Sequence, residues 1–159
     1  MLDPMSKSKV IGSLGEKLVS HWLETQGWEI LNHQWHCRYG EIDLIAVETG
    51  ESGIKTLSFI EVKTRSQRNW DLGGLLAITP KKQAKIIQSA ELFLSDRPQF
   101  LEYPCRFDVA LVSCVPYPNR NPIAEEVSSF SPPINIGQSV LINGYQLILQ
   151  DYIESAFSE

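Results

Sequence analysis

Apolar residues recur at Val10, Leu14, Leu18, Trp22 and Leu23, a spacing that predicts an amphipathic helix from about Ser8 to Gln26, with Gly27 as its stop. The period then shortens. WEILNHQW (28–35) reads as a strand of imperfect alternation, EIDLIAVE (41–48) as a clearer one, and TLSFIEVKT (56–64) as a third. The Gly and Ser residues of ETGESGIK (48–55) mark a hairpin loop between the last two. Residues 66–78 read as a loop around a glycine pair. TPKKQAKIIQSAELFLS (79–95) predicts a second helix, with Thr79 as N-cap and Pro80 at the first position, where its missing N–H is not needed. Its apolar stripe runs through Ala84, Ile87, Ala90 and Leu94, widened by Ile86 and Phe93. RFDVALVSCV (106–115) is a fourth strand. Residues 116–138, rich in Pro, Asn and Ser, form a long loop excursion. SVLINGYQLILQDYI reads as a last strand or hairpin, and DYIESAF as a closing turn of helix.

The order α-β-β-β-α-β, plus a C-terminal strand or hairpin, predicts an α/β fold. A helical connection between the third and fourth strands is what a parallel pairing requires, so the sheet is mixed and flanked by helices. Residues 1–159 read as one domain without internal repeats.

Charge inside two of these strands breaks the pattern. In GEIDLIA (40–46) and FIEVKTR (59–65), Glu41 and Asp43 share a face with Ile45, while Ile42, Leu44 and Ala46 occupy the other. Glu61 and Lys63 likewise share a face with Phe59. If the strands pair as an antiparallel hairpin with Val47 opposite Leu57, Asp43 falls opposite Glu61. Carboxylates so placed repel unless positive charge stands between them. A divalent cation is one solution and Lys63 another. Oxygen ligands suit Mg²⁺, which takes one or two carboxylates and keeps several waters. Such an ion polarises a phosphoryl oxygen, and a neighbouring ammonium can position water and offset charge developing on the phosphate. A solvated Glu61–Lys63 ion pair is the simpler reading of the same residues.

Composition narrows the setting. Apolar residues make up 43% and charged residues 21% of the chain, and the net charge is −5, which speaks against coating nucleic acid by bulk attraction. The charge is segregated, however. Lys63, Arg65, Arg68, Lys81, Lys82, Lys85 and Arg97 face only three acids between residues 63 and 97, whereas two arginines face seven acids from Leu101 onward. No apolar run is long enough to span a bilayer, and MLDPMSKSKVIGS lacks the apolar stretch of a secretory signal. Three cysteines without a CxxC pair fit a reducing, cytoplasmic setting better than a disulfide framework. His33, His36 and Cys37 lie in HQWHC, but no second ligand cluster follows at zinc-site spacing, and Cys37 reads as a small buried side chain. Asp108, interrupting an apolar strand, reads as a partner of Arg106 or of a backbone group. Arg38, Arg65 and Arg68 suit phosphate contact, and Trp35, Tyr39 and Trp70 could stack on unpaired bases or simply pack.

GSLGEKLVSHWLETQGWEILNHQW, CRYGEIDLIA, FIEVKTR, TPKKQAKI, RFDVALV and IESAF together resemble the YraN-type family of predicted endonucleases. That family is similar to the restriction-endonuclease-like PD-(D/E)xK superfamily and to archaeal Holliday-junction resolvases. The resemblance covers nearly the whole chain except 116–138. It implies that Asp43 and Glu61 bind Mg²⁺ or Mn²⁺ together with the Val62 carbonyl, and that Lys63 is the signature lysine. It also implies that Glu16 completes the metal shell or holds a water. Lys82 and Gln83 match a substrate-positioning site less closely; Arg38 and Arg65, read from the residues alone, are candidate phosphate contacts or ordinary surface arginines. The expectation is a metal-dependent endonuclease acting on DNA, with branched or structured DNA among its candidate substrates. A homodimer would suit two symmetric cuts. The rival expectation is a non-catalytic nucleic-acid-binding or interaction module that retains the fold.

Overall fold

The computed structural model describes residues 4–66, 78–117 and 133–159, with side chains from residue 7 onward. The expectations for Arg68, Trp70, the Gly73–Gly74 pair and most of the 116–138 excursion fall outside the described residues. The order is α1 (Pro4–Thr25), β1 (Glu29–Cys37), β2 (Gly40–Thr49), β3 (Lys55–Arg65), α2 (Pro80–Ser95), β4 (Cys105–Pro116), β5 (Ser139–Ile142) and β6 (Tyr145–Phe157). The six strands form one mixed sheet in the order β1-β2-β3-β4-β6-β5. The parallel pair is β3–β4, joined through α2. A helix lies on each face of the sheet.

On one face, Leu14, Leu18, Val19 and Leu23 of α1 pack against Leu44, Ala46, Ile60, Val62, Ala110 and Val112. On the other, Ile86, Ala90 and Phe93 of α2 pack against Ile45, Val47, Leu57, Phe59 and Phe107. With helices on both faces, β3 and β4 are buried on both sides and read as nearly continuous apolar runs. Thr79 caps α2 by accepting from the Lys82 N–H at 3.2 Å, with Pro80 at the first helical turn.

Several details differ from the pattern reading. Helix α1 begins at Pro4 rather than Ser8, because proline suits a first turn and the polar segment that follows is compatible with a helix. Val10 is exposed, so the buried stripe starts at Leu14. The buried face of α2 centres on Ile86, Ser89, Ala90 and Phe93, and Ala84 faces solvent. Residues 139–157 form a hairpin turned at Asn143–Gly144, both at positive φ, a pair that favours two-residue turns. DYIESAF is therefore strand, not helix. A register shift between Phe107 and Val109 accompanies Ser155 at φ 51° and hides the alternation that would have announced a strand. Among the described residues, no helix is long and apolar enough to cross a membrane.

Candidate functional site

The β2–β3 ladder runs from Thr49 opposite Lys55 through Val47 opposite Leu57 to Leu44 opposite Ile60. One step further along this register, Asp43 faces Glu61. Backbone pairing stops there. The Val62 N–H donates instead to Asp43 Oδ2 at 2.8 Å, so a side chain satisfies a donor that the ladder has released. Ile42 corrects the simple alternation. It packs with Ile45 and Val47 on the α2 side, while Leu44 and Ala46 face α1. Two residues apart on one strand, Ile42 and Leu44 thus face opposite ways, and Asp43 sits at the exchange of faces. Beyond Leu44, β2 is held by β1 alone and is free to twist.

Asp43 and Glu61 are each only 6% exposed, among strands selected for apolar burial. Two ammonium groups from different elements converge on one oxygen of Glu61. Lys82 Nζ donates to Glu61 Oε1 at 2.5 Å and Lys63 Nζ lies 3.3 Å from the same atom. Burial disfavours charge on both lysines. For Lys82 burial is the largest single effect, but the hydrogen bonds to Glu61 and Lys63 and the charges of Glu61 and Asp43 together outweigh it, and the ammonium is held above its usual range. For Lys63, burial and the neighbouring Lys82 win, and its pKa falls. The two shifts oppose each other because both groups share one acceptor and the closer one keeps it. Among the described residues no cation is in ion-pair contact with Asp43, although the Lys82 charge acts on it across the site. Burial, then repulsion from Glu61, pushes its carboxyl up to about 9, against the opposing effect of the Val62 N–H.

Glu16 reaches the row from α1. The helix lies so close to β3 that a side chain at Gly15 would overlap the Thr64 hydroxyl and stand 3.1 Å from Thr64 Cβ. This close approach brings Glu16 beside Asp43, with which it interacts directly. Burial raises the Glu16 pKa, while the Gln34 amide, donating from Nε2 to Oε2 at 2.8 Å, opposes the rise.

Asp43, Glu61 and Lys82 line a cavity of about 120 Å³ with Tyr39, Lys85 and Ser89. Lys85, three residues after Lys82 on the same helix, is a wall residue that helical spacing could have supplied. Val62 and Lys63 adjoin the cavity through Glu61. Arg38 is exposed, with its guanidinium 4.9 Å from the centre of the Tyr39 ring. Arg65 is exposed and donates to the Thr64 carbonyl, and Gln83 donates to the Ile78 carbonyl, a contact that steadies the start of α2. The fold thus gathers Glu16, Asp43, Glu61, Lys63 and Lys82, and it engages Arg65 and Gln83 elsewhere. A larger cavity of about 500 Å³ lies near the C-terminus against Phe59, Phe107 and Phe157, away from the carboxylate row.

Among the described residues, no group of three His, Cys, Asp or Glu side chains is arranged to hold a metal. Two carboxylates and the Val62 carbonyl form a hard-oxygen set that fits Mg²⁺ or Mn²⁺ with waters filling the remaining positions. The carboxyl of Asp43 is raised first by burial and then by Glu61, so a cation between the two carboxylates would favour its ionised form. Within HQWHC, Trp35, His36 and Cys37 are engaged otherwise. His36 Nδ1 lies 3.2 Å from Glu41, and the half-buried Cys37 donates to Ser89 Oγ at 3.3 Å. Trp35 packs edge-on against Phe93 at 5.4 Å.

Asp108 is fully buried in a separate network. It accepts from Arg106, from Ser58 Oγ and Tyr152 OH, both at 2.6 Å, and from the Ser155 N–H at 3.0 Å. The Arg106 and backbone partners match its expected structural role, and burial together with Asp108 keeps the Tyr152 hydroxyl protonated.

Residues 15–112 match the model of the uncharacterised protein family UPF0102. The chain is 48% identical over 174 residues to a UPF0102 protein of Trichodesmium erythraeum, covering 98% of this chain and 96% of that one. It is 45% identical to one of Acaryochloris marina, over 96% and 92% of the respective chains. It is 43% identical to one of Synechocystis, over 92% and 97%.

Proposed function

The chain belongs to the uncharacterised protein family UPF0102, and we propose that it is a metal-dependent endonuclease hydrolysing phosphodiester bonds of DNA. The observation that carries this reading is the row of facing carboxylates. Asp43 and Glu61 lie opposite each other inside apolar strands, with Lys63 and Lys82 on the same carboxylate, beside an open cavity. The resemblance to restriction-endonuclease-like enzymes supports it, as does a sheet in which β2 and β3 carry the acids and α1 supplies Glu16. An isolated surface ion pair would place Glu61 and Lys63 in solvent, whereas both are buried or nearly so.

Asp43, Glu61 and the Val62 carbonyl would hold Mg²⁺ or Mn²⁺. Such an ion, when bound, polarises a phosphoryl oxygen and acidifies water. Glu16, hydrogen-bonded on its outer side to Gln34, orients the attacking water from the α1 side. Lys63 holds that water in line and offsets negative charge developing on the phosphate. Lys82 and Lys85 present cations along the cavity wall to neighbouring phosphates. Branched or structured DNA is the substrate class to try first, and paired cuts on a junction would call for a homodimer.

One observation favours the rival, a nucleic-acid-binding module without catalysis: Lys82 already neutralises Glu61. Labelled duplex, single-stranded, flap and four-way-junction DNA incubated with Mg²⁺ or Mn²⁺ separates the two. The nuclease requires metal-dependent cuts that vanish in Glu61→Ala. Binding without cleavage by the wild type favours the module, and equal cutting by both proteins rejects the site.

A further inference from the structure

Three described residues other than glycine have positive φ: Gln34 at 46°, Asn143 at 52° and Ser155 at 51°. Asn143 belongs to the β5–β6 turn, and Ser155 lies at the β6 register shift, where its N–H reaches Asp108. Gln34 has neither reason. It stands in the middle of β1, away from the register shift between Ile30 and Asn32. Left-handed backbone is unfavourable for an unbranched residue that is not glycine or asparagine, and such conformers concentrate where function holds them.

The β1–β2 register pairs His33 with Leu44 and Trp35 with Ile42, so Gln34 is the position across from Asp43. Gln34, Asp43 and Glu61 therefore form one row across three strands. This is also the row at which β2 exchanges faces. Leu44 packs towards α1 and Ile42, with its partner Trp35, packs towards α2. The exposed Gln34 side chain turns to α1, where Nε2 donates to Glu16 Oε2 at 2.8 Å.

We propose that Gln34 is a positioning residue that, through its strained backbone, fixes the Glu16 carboxylate beside Asp43. This rests on the nuclease reading of the row. Gln34 contacts no reacting atom and acts through Glu16.

The test compares wild type, Glu61→Ala, Glu16→Ala, Gln34→Gly and the Gln34→Gly/Glu16→Ala double variant. Each is measured by thermal melting, Mn²⁺ titration followed by EPR, and metal-dependent DNA cleavage. Glycine adopts φ near 46° without strain, so Gln34→Gly should melt no lower than wild type. It should nevertheless lose about tenfold or more in Mn²⁺ affinity or in kcat, the usual range for a residue supporting a metal site. The affected parameter should be the one that Glu16→Ala changes, and Gln34→Gly should add nothing in the Glu16→Ala background. A merely structural glutamine would move melting and spare the cycle. Gln34→Glu, which replaces the donor by a second carboxylate, gives an independent check if the glycine variant is less stable, and should lose at least as much. Wild-type Mn²⁺ affinity and kcat in either Gln34 variant, or an undiminished effect in the Glu16→Ala background, overturns the proposal. Failure of the nuclease reading is seen elsewhere, as a wild type that binds no Mn²⁺ or cuts like Glu61→Ala, and the proposal falls with it.

Discussion

Gly15→Ala tests whether the seat of α1 on β3 sets the site. The added methyl would overlap the Thr64 hydroxyl and stand 3.1 Å from Thr64 Cβ and 3.3 Å from Cγ2. Rotating Thr64 moves the hydroxyl away but leaves Cβ in place, so the helix must still shift by a few tenths of an ångström. Overpacking of this kind costs about 1–3 kcal/mol. Alanine in place of glycine returns about 1 kcal/mol of helix propensity. The net expectation is a destabilisation of about 0–2 kcal/mol. Thr64→Ala removes both γ atoms, including an oxygen that is buried without a hydrogen-bond partner among the described residues. The Gly15→Ala/Thr64→Ala pair should therefore recover about 1 kcal/mol or more relative to additivity, as contacting sites do. Urea unfolding of the four proteins measures this. Glu16 follows Gly15 directly, so the cleavage rate should fall more than stability does, up to about 100-fold for a displacement near 1 Å. If Gly15→Ala is stabilised by the full helix propensity and shows no coupling to Thr64→Ala, the close seating is wrong and so is its role in presenting Glu16.

Lys63→Ala should lower kcat by about 100-fold or more while leaving the urea midpoint near that of wild type; cleavage at the wild-type rate would remove Lys63 from the reaction. Without divalent metal, Asp43 holds a proton in the folded state up to about pH 9 that the unfolded chain loses near its ordinary carboxylate pKa. The native state then binds the extra proton, and this contribution to stability is full at low pH and lost as pH rises through about 9. Asp43→Asn should flatten that slope, raise metal-free stability at pH 8 by about 1–2 kcal/mol and abolish metal-dependent cleavage, whereas an unchanged melting profile from pH 5 to 9 would contradict the assignment. Asp108→Ala leaves the Arg106 charge without its buried partner and should cost about 3–5 kcal/mol in urea unfolding; a loss below about 1 kcal/mol would mean that the network does not brace the sheet.

The hydrophobic pattern announced the sheet well because β3 and β4 are apolar on both faces and α2 carries its own start signal in Thr79–Pro80. The antiparallel hairpin was legible from the Gly and Ser of its loop, but the Val47–Leu57 register was one option that the structure had to decide. Given that register, Asp43 and Glu61 fall opposite each other. What alternation could not supply is the exchange of faces between Leu44 and Ile42. Period-two reasoning assumes a continuous ladder, and here β2 leaves β3 at Asp43. The same limitation hid β6, whose register shift at Ser155 lets DYIESAF pass for a helix turn. Gln34 gave no signal at all, because a left-handed glutamine is indistinguishable in sequence from any exposed strand residue. Lys82 was visible as a cation on α2, but its preference for Glu61 over solvent depends on how far the helix overlies the sheet.

The row places Asp43 where β2 parts from β3, while Glu61 still pairs with Val109 of β4. A carboxylate inside a continuous ladder needs donors brought to it by side chains, as Arg106, Ser58 and Tyr152 are brought to Asp108. At Asp43 the ladder stops, the Val62 N–H becomes available, and one oxygen is satisfied while the rest of the group faces its neighbours. Glu61 obtains its compensation from contact with Lys82 and Lys63, whereas for Asp43 the Val62 N–H does not outweigh burial and the repulsion of Glu61, and it keeps a proton. In the proposed enzyme a divalent ion would reverse that distribution, favouring the ionised form of Asp43 and competing with Lys82 for Glu61. Metal affinity should then rise with pH until Asp43 is ionised, since proton and ion bind the same carboxylate. A row of this kind is unstable in isolation. It persists because β3 and β4, buried on both sides, supply the stability that the row itself lacks.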